Sequence, residues 1–490
     1  MTRRWRSVFW IVSLYAIIFQ TAATKGFKSD RRRLSLKAFL GPIPKTLDPT
    51  TVTSFTEYVI IQQMTRGLVK LDGQGQTAGD IAESWKISQD ASQYTFTLRT
   101  KQFFSNGDEI DANSLVGSFQ RQMNKGKTIH YDFAGIKSVV AKSPQILEVT
   151  LQKPDAQFIS KLTYPEFSVL HKSDFSKNTA DACEWRITSG ATTLKELKKE
   201  KILLSQEQQT KREIEITGTL LNKNGEVDRE IDFFVGVPPL SADLHEKISK
   251  DYESYSPRLS FTYFFSIGRG SYLANNKPER LTVFSKLYKF RAKMEFVSPF
   301  HFASQQLYLE DGPGRTPKAT LTKIQSSHEK DSSARPSQRK IKILLQKSFP
   351  YYDQLIHFLQ SENIEHDITF YPNFDEFDRL TNSNIFDLIQ TNNDFSASDL
   401  TSNIMVTLNP KRPLVETFGN KEIDKIKLKI ETEFSDQERI SSIQRIEEIL
   451  LQDALVFPIF HLKMYFYVNR RNDSSELSRR FPEVSIWKLN

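Results

Sequence analysis

The stretch Tyr94–Phe119, "YTFTLRTKQFFSNGDEIDANSLVGSF", changes its rhythm twice. Tyr94, Phe96 and Leu98 alternate with Thr95, Thr97 and Arg99, the period-two pattern of a strand with one buried face. Asn106-Gly107 then supplies the positive φ that a tight turn needs. Asp111 is placed to cap a helix whose apolar positions Leu115, Phe119 and Met123 recur every four residues. Strand, turn and capped helix form one compact unit, and the question is what larger architecture needs it.

The chain has 490 residues, beyond the size at which single cores split, so two or three domains are expected. A hydrophobic fraction of 38% and an aromatic fraction of 12% describe a globular protein rather than a disordered one. Residues 1–23 read as a signal peptide. Arg3, Arg4 and Arg6 precede the apolar run Ser7–Phe19, and "QTAAT" offers small residues for cleavage after Ala23. That run is shorter than the roughly 20 residues of a membrane span, and no cysteine follows it to carry a lipid anchor. The expected location is therefore the periplasm. The formal charge is +8, and removing the three arginines of the signal leaves +5. The basic runs "DRRR" (Asp30–Arg33) and "KELKKEK" (Lys195–Lys201) read as solvated surface, so no nucleic-acid partner is expected. Cys183 is the single cysteine; no intrachain disulfide is possible, and it reads as a small buried hydrophobe.

"LSLKAFLGPIPKTLDP" (Leu34–Pro49) gives a strand and a Pro-rich loop, residues 56–68 read as helical, and Lys70–Gly75 as a hairpin-like turn. "ILEVTLQ" (Ile146–Gln152) is another alternating strand, with Asp155 as cap of a short helix after it. Short β-patterned segments recur over 184–235. Residues 326–340, "SSHEKDSSARPSQRK", hold no large apolar side chain and read as a mobile loop. "IKILLQ", "HDITFYP" and "IFDLIQ" then alternate with helical segments starting at Asp353 and near Phe374, the pattern of βαβ units and a parallel sheet. Ser435 and Glu438 read as a capping box, and Ile440, Ile443, Ile446 and Ile449 as one buried stripe.

Catalytic signatures are missing. The eight histidines form no HxxxH or HExxH pair, and no GxSxG elbow, phosphate loop or post-strand GxGxxG occurs. No catalytic residue, metal ligand or cofactor is assigned, and the chain is not expected to be an enzyme. A binding protein needs no such motif, because affinity comes from enclosure and a few placed polar groups.

The order of segments resembles the peptide-type, family 5 extracellular solute-binding proteins of ABC importers, in particular those for oligopeptides and dipeptides. "KTLDPTTVTSFTEYVIIQQMTRGLVKLDGQGQTAGDIAESW" (45–85) carries LDP, a GL after a helix and an AESW after a turn. The opening unit resembles the family's strand-turn-helix. "ILEVTLQKPDAQFISKL", "TSGATTLKELKKEKILLS", "EIDFFVG" and "QRIEEILLQDALVFPIFH" follow in the family's order. Two segments depart from it. Residues 267–294 keep a helix but lose its Val-Arg pattern, and "IQTNNDFSASDL" (389–400) is shorter and lacks the usual Trp.

The resemblance implies an α/β, bilobed periplasmic-binding-protein-like fold of type II, in a three-domain variant with a hinge between the lobes. Lobe I would be 34–50, 163–245 and 455–490; a smaller domain, 51–162, would decorate it; lobe II would be 246–454, with chain crossings near 245 and 455. It further implies capture of a peptide between the lobes, delivery to an ABC permease with separate ATPase subunits, and a monomer. Thr53, Ser54 and Phe55 match the stretch whose backbone pairs with bound peptide; their alternative reading is a plain surface loop. Asn392, Asn393 and Asp394 follow the strand "IFDLIQ" in what reads as a polar turn, with Asp394 as the acceptor of a peptide α-amino group or, alternatively, an exposed loop residue. The rival function is a ligand-sensing or interaction protein on the same fold, with a diverged pocket and no transport role.

Overall fold

The structure is a computed structural model and describes residues 35–52, 54–72, 76–125, 133–175, 183–206, 212–236, 242–256, 260–296, 298–309, 312, 314–332, 339–394, 400–409, 413–475, 477 and 485–489. The signal segment 1–23, its cleavage point and Thr53 lie outside these.

Strand β1 (Ser35–Phe39) leads through the Pro-rich loop to helix α1 (Phe55–Met64) and the short antiparallel pair β2 (Val69–Leu71) and β3 (Thr77–Gly79). Strands β4 (Ala82–Ile87), β5 (Gln93–Leu98), β6 (Ile136–Ser143) and β7 (Ile146–Leu151) form one antiparallel sheet in the order β4-β5-β7-β6, covered by α2 (Ala112–Lys125). This sheet and helix hold the Tyr94–Phe119 strand, turn and helix. Tyr94, Phe96 and Leu98 point inward, and Asp111 Oδ1 accepts from Ser114 N at 2.9 Å as a helix cap. Gly107 has φ +91°, as its turn requires. Leu115 and Phe119 are buried, but Met123 is 36% exposed, so the apolar stripe does not carry into the last turn of α2.

A seven-stranded sheet follows, built from β8 (Thr193–Lys198), β9 (Lys201–Gln206), β10 (Arg212–Thr217), β11 (Phe233–Gly236) and β12 (Tyr252–Tyr255) together with β1. The chain then crosses to a six-stranded sheet: β13 (Ser260–Ile267), β14 (His301–Ala303), β15 (Ile341–Gln346), β16 (His366–Tyr371), β17 (Leu388–Asp394) and β18 (Val456–Lys463). It returns at β19 (Tyr465–Asn469), which closes the first sheet in the order β12-β19-β11-β1-β10-β9-β8; the second reads β14-β18-β13-β17-β15-β16. On the second sheet lie α3 (Lys277–Lys293), α4 (Lys318–Asp331), α5 (Tyr352–Ser361), α6 (Phe374–Thr381), α7 (Leu400–Thr407), α8 (Lys421–Thr432) and α9 (Asp436–Gln452). Phe265, Ile343 and Leu345 bury one face of this sheet, and Phe264, Leu344 and Ile389 bury the other against α9.

Three placements differ from the sequence reading. The crossings fall between Tyr255 and Ser260 and at Met464, not near 245 and 455, because β12 pairs with β19 and β18 pairs with β13. Residues 326–331 are helical, within α4, because burial of Leu321, Ile324 and His328 carries the helix past the polar run. Ser435 caps α9 by accepting from Glu438 N, but Glu438 pairs with Lys429, so the box is half made.

The loop after β1 is pinned by buried polar groups. Arg121 Nη1 and Nη2 donate to Asp48 Oδ1 and Oδ2 at 2.8 and 2.5 Å, and Thr50 donates to the same carboxylate from its N at 2.9 Å and Oγ1 at 2.7 Å. Trp185 Nε1 donates to Leu47 O at 2.8 Å. Burial alone pushes the Asp48 carboxyl up, but the Arg121 guanidinium and Thr50 outweigh it and hold the carboxyl below its usual range. The LDP segment thus bolts the smaller domain to the first sheet. Gly190 lies against the end of α1, where a Cβ would stand 2.4 Å from Met64 C and Thr65 N.

Candidate functional site

Strand direction locates the site. Strand β1 runs parallel to β10 and β11, and β12 and β11 both run antiparallel to β19. The carboxyl ends of β1, β10, β11 and β12 therefore share the edge where β19 begins, which is where the chain crosses. In the second sheet β13 starts at the crossing and runs antiparallel to β17, while β15 runs parallel to β17 and β16. The carboxyl ends of β15, β16 and β17 thus also face the crossing. Two sheets present the carboxyl ends of their parallel strands to one crevice, the position at which open α/β sheets bind ligands.

Aromatic rings line both sides of the crossing. Phe466 packs against Phe55 at 6.2 Å, Phe233 at 5.6 Å and Tyr255 at 5.5 Å. On the far side Tyr263 stacks on Phe460 at 4.5 Å, and Phe349 and Tyr351 pack beside Phe460. Burial pushes the Tyr263 hydroxyl up to about 12, so it stays protonated. His301 Nδ1 is hydrogen-bonded to the Tyr351 hydroxyl at 2.5 Å; burial lowers its pKa to about 4 and keeps it neutral. His301 Nε2 and Ser256 Oγ are buried without a partner among the described residues. An unmet buried polar atom costs about 1–3 kcal/mol, so both are natural points for a ligand to satisfy.

The sequence-derived residues distribute unevenly. Ser54 caps α1 in a full capping box with Glu57, so its hydroxyl is already used. Phe55 lies half-buried against Phe466. Asn392, Asn393 and Asp394 are not in a turn: they are strand residues, paired with Tyr263, Thr262 and Phe261 of β13. Pairing with this aromatic strand overrides the weak strand preference of Asn and Asp. Asn392 Nδ2 donates to Gln346 Oε1 at 2.9 Å, and Asn393 Nδ2 to Thr407 Oγ1 at 2.9 Å.

One feature of β17 was not legible beforehand. Strands β15 and β17 pair only at Ile343↔Leu388 and Leu344↔Ile389. Beyond that the Gln390 side chain wedges between them and accepts from Gln346 N at 3.1 Å. The Gln390 carbonyl accepts from the Tyr371 hydroxyl, and the Thr391 carbonyl from Gln390 Nε2. Over Asn392–Asp394 the strand continues with β13 as its sole register partner among the described residues, which leaves its other edge unpaired by any described strand at the crossing. Tyr255, Tyr263, Phe460 and Phe466 are not among the sequence-derived residues; for Phe460 and Phe466 the signal is the aromatic density of "LVFPIFHLKMYFYVN" (Leu455–Asn469). Among the described residues no group of three or more His, Cys, Asp or Glu is placed to hold a metal, and no helix is long and apolar enough to cross a membrane.

Comparison with known proteins agrees with this geometry. A family model for bacterial extracellular solute-binding proteins, family 5 Middle, matches residues 76–209. The chain is 29% identical over 143 residues to the probable D,D-dipeptide-binding periplasmic protein DdpA of Escherichia coli, covering 28% of each chain. It is 30% identical over 176 residues to the periplasmic oligopeptide-binding protein OppA of Escherichia coli, covering 31% of this chain and 32% of that one. The matched stretches thus span about a third or less of these relatives. Over the whole fold, a dipeptide-binding protein from Pseudoalteromonas sp. SM9913 in complex with Met-Leu superposes with a TM-score of 0.74 at 13% identity, covering 93% of this chain and 99% of that one. NikA from Brucella suis in complex with Fe(III)-EDTA superposes at 0.73 with 17% identity and the same coverage. The fold is the bilobed α/β fold of type II periplasmic binding proteins, and over residues 76–209 the chain is similar to the family 5 extracellular solute-binding proteins.

Proposed function

We propose that the protein captures a peptide in the crevice between the two large sheets and hands it to a membrane permease of the ABC type, powered by separate ATPase subunits. It acts by binding rather than catalysis, as an exported periplasmic monomer. The lobes are the two large sheets, the smaller domain rides on the first, and the hinge is the double crossing beside Tyr255 and Met464. The observation that carries this reading is the edge of β17 at Asn392–Asp394, unpaired by any described strand at the crossing. An extended peptide adds its main chain to such an edge, which gives affinity tolerant of side-chain sequence. Thr53, Ser54 and Phe55, the first of them outside the described residues, are the candidates for the opposing backbone, and Asp394, paired with Phe261 at the strand end, is the candidate anchor for the peptide α-amino group. The names of the relatives, which include dipeptide- and oligopeptide-binding proteins, support a peptide as ligand.

The test is titration calorimetry with tetra-alanine and with the same peptide methylated on two backbone nitrogens. At about 1 kcal/mol per lost hydrogen bond, the methylated peptide is expected to bind roughly thirtyfold more weakly. Equal affinities would show that no main-chain pairing occurs. The internal commitments of Ser54, Asn392 and Asn393 favour the second reading, a sensing or interaction protein with a diverged pocket; saturable peptide binding would exclude it.

A further inference from the structure

A second cavity, of about 660 Å³, lies at the opposite end of α1 from the crevice. Ten residues of helix separate the two, about 15 Å at 1.5 Å per residue. Its walls come from the end of α1, β2, the loop after β5, residues 162–168, the 189–191 turn and the C-terminal turn; no described residue of the six-stranded sheet or its helices lines it. Part of the wall is fully committed: Arg66 donates to Asp80 Oδ1 at 2.7 Å and to Gln102 Oε1 at 2.8 Å, and Ser168 to Thr65 at 2.8 Å. Other groups are not. Gln62 Oε1 is buried without a partner among the described residues, and the exposed side chains of Lys70 and Lys101 have none either. Lys488 lies over the Trp487 ring at 5.3 Å, and Phe103 is 49% exposed at the rim.

We propose that this cavity is a ligand site distinct from the crevice, and that it takes a small ring-bearing anion. Each part of that description follows from a lining group. The volume lies within the range of small-molecule sites, about 300–1,000 Å³. Arg66 and Asp80 cancel, which leaves Lys70 and Lys101 as excess positive charge that selects an anion. Trp487, Tyr164 and Phe103 offer flat apolar surface for a ring. The buried Gln62 Oε1 asks for a donor, such as a hydroxyl on that ring. The walls join the first sheet, the smaller domain and the C-terminal turn, so occupancy ties together three parts of the chain without involving the hinge.

The test is titration calorimetry on the full mature chain with 4-hydroxyphenylacetate as probe, beside its neutral amide and inorganic phosphate. Saturable one-site binding is expected, at least tenfold weaker for the amide and for phosphate. The Lys70→Gln/Lys101→Gln double variant should bind the probe at least tenfold more weakly with its Tm unchanged. Saturation with tetra-alanine should leave the probe's affinity unchanged. The proposal is overturned by an absence of saturable binding, by equal binding of the amide, by phosphate binding as well as the probe, or by an unaltered double variant. Displacement by the peptide would place the probe in the crevice and overturn it equally.

Discussion

Arg121→Ala is expected to lower the free energy of unfolding by about 3–5 kcal/mol, the cost of leaving a buried charge without its partner. The guanidinium is 1% and the carboxylate 8% exposed, and the pair joins the LDP loop to the helix that covers the smaller domain. Asp48→Asn should approach the same loss, because it keeps the Thr50 contacts but strands the guanidinium. The pH dependence has a definite sign. The folded-state pKa of Asp48 lies below its unfolded value, so the pair's contribution is complete above the ordinary carboxylate range and is lost as pH falls through the folded value. In acid the variant and wild type should therefore converge. Urea unfolding at pH 7 and in acid measures both effects; a variant whose midpoint at neutral pH equals that of the wild type would show that the bolt contributes nothing.

Glu447→Ala should cost about 2–5 kcal/mol, because three donors lose one acceptor inside the second sheet's core. Glu447 Oε1 accepts from Leu307 N at 2.5 Å and Tyr308 N at 3.3 Å, and Oε2 accepts from the Thr316 hydroxyl. Leu307 O in turn accepts from Thr262, which hydrogen-bonds His461, and Thr262 sits between Phe261 and Tyr263 on the strand that pairs with β17. Loss of the carboxylate loosens the floor of the crevice as well as the core. Burial pushes the Glu447 pKa up to about 7 against the opposing effect of its three donors. A raised carboxyl pKa favours the folded state in mild acid, and that contribution falls away as pH rises from the ordinary carboxylate value toward 7. Wild type should thus gain about 1.4 kcal/mol per pH unit from this group on acidification below 7, and Glu447→Gln should not. Identical pH profiles would contradict the assignment.

What was legible in the sequence was local. Tyr94, Phe96 and Leu98 carry their strand in their alternation, Gly107 its turn, and Asp111 its helix start, because each depends on neighbours within a few residues. The two buried carboxylates were not legible as structural centres, since Asp48 meets Arg121 across 73 positions and Glu447 meets Thr316 across 131. At 392–394 the turn-like composition concealed a strand that only pairing with β13 imposes. The aromatic walls come from Tyr255, Tyr263, Phe460 and Phe466, which surround the two crossings and converge only once the double crossing is made.

Native mass spectrometry bears most directly on the central claim that the crevice holds a peptide. Protein purified without refolding and incubated with a mixture of di- to pentapeptides should show one-to-one adducts at peptide masses. On denaturation these should release chains with free amino termini and varied side chains, and N-acetylated peptides should be under-represented among them. A spectrum holding only the bare chain mass, across the full range of peptide concentrations, would contradict peptide capture.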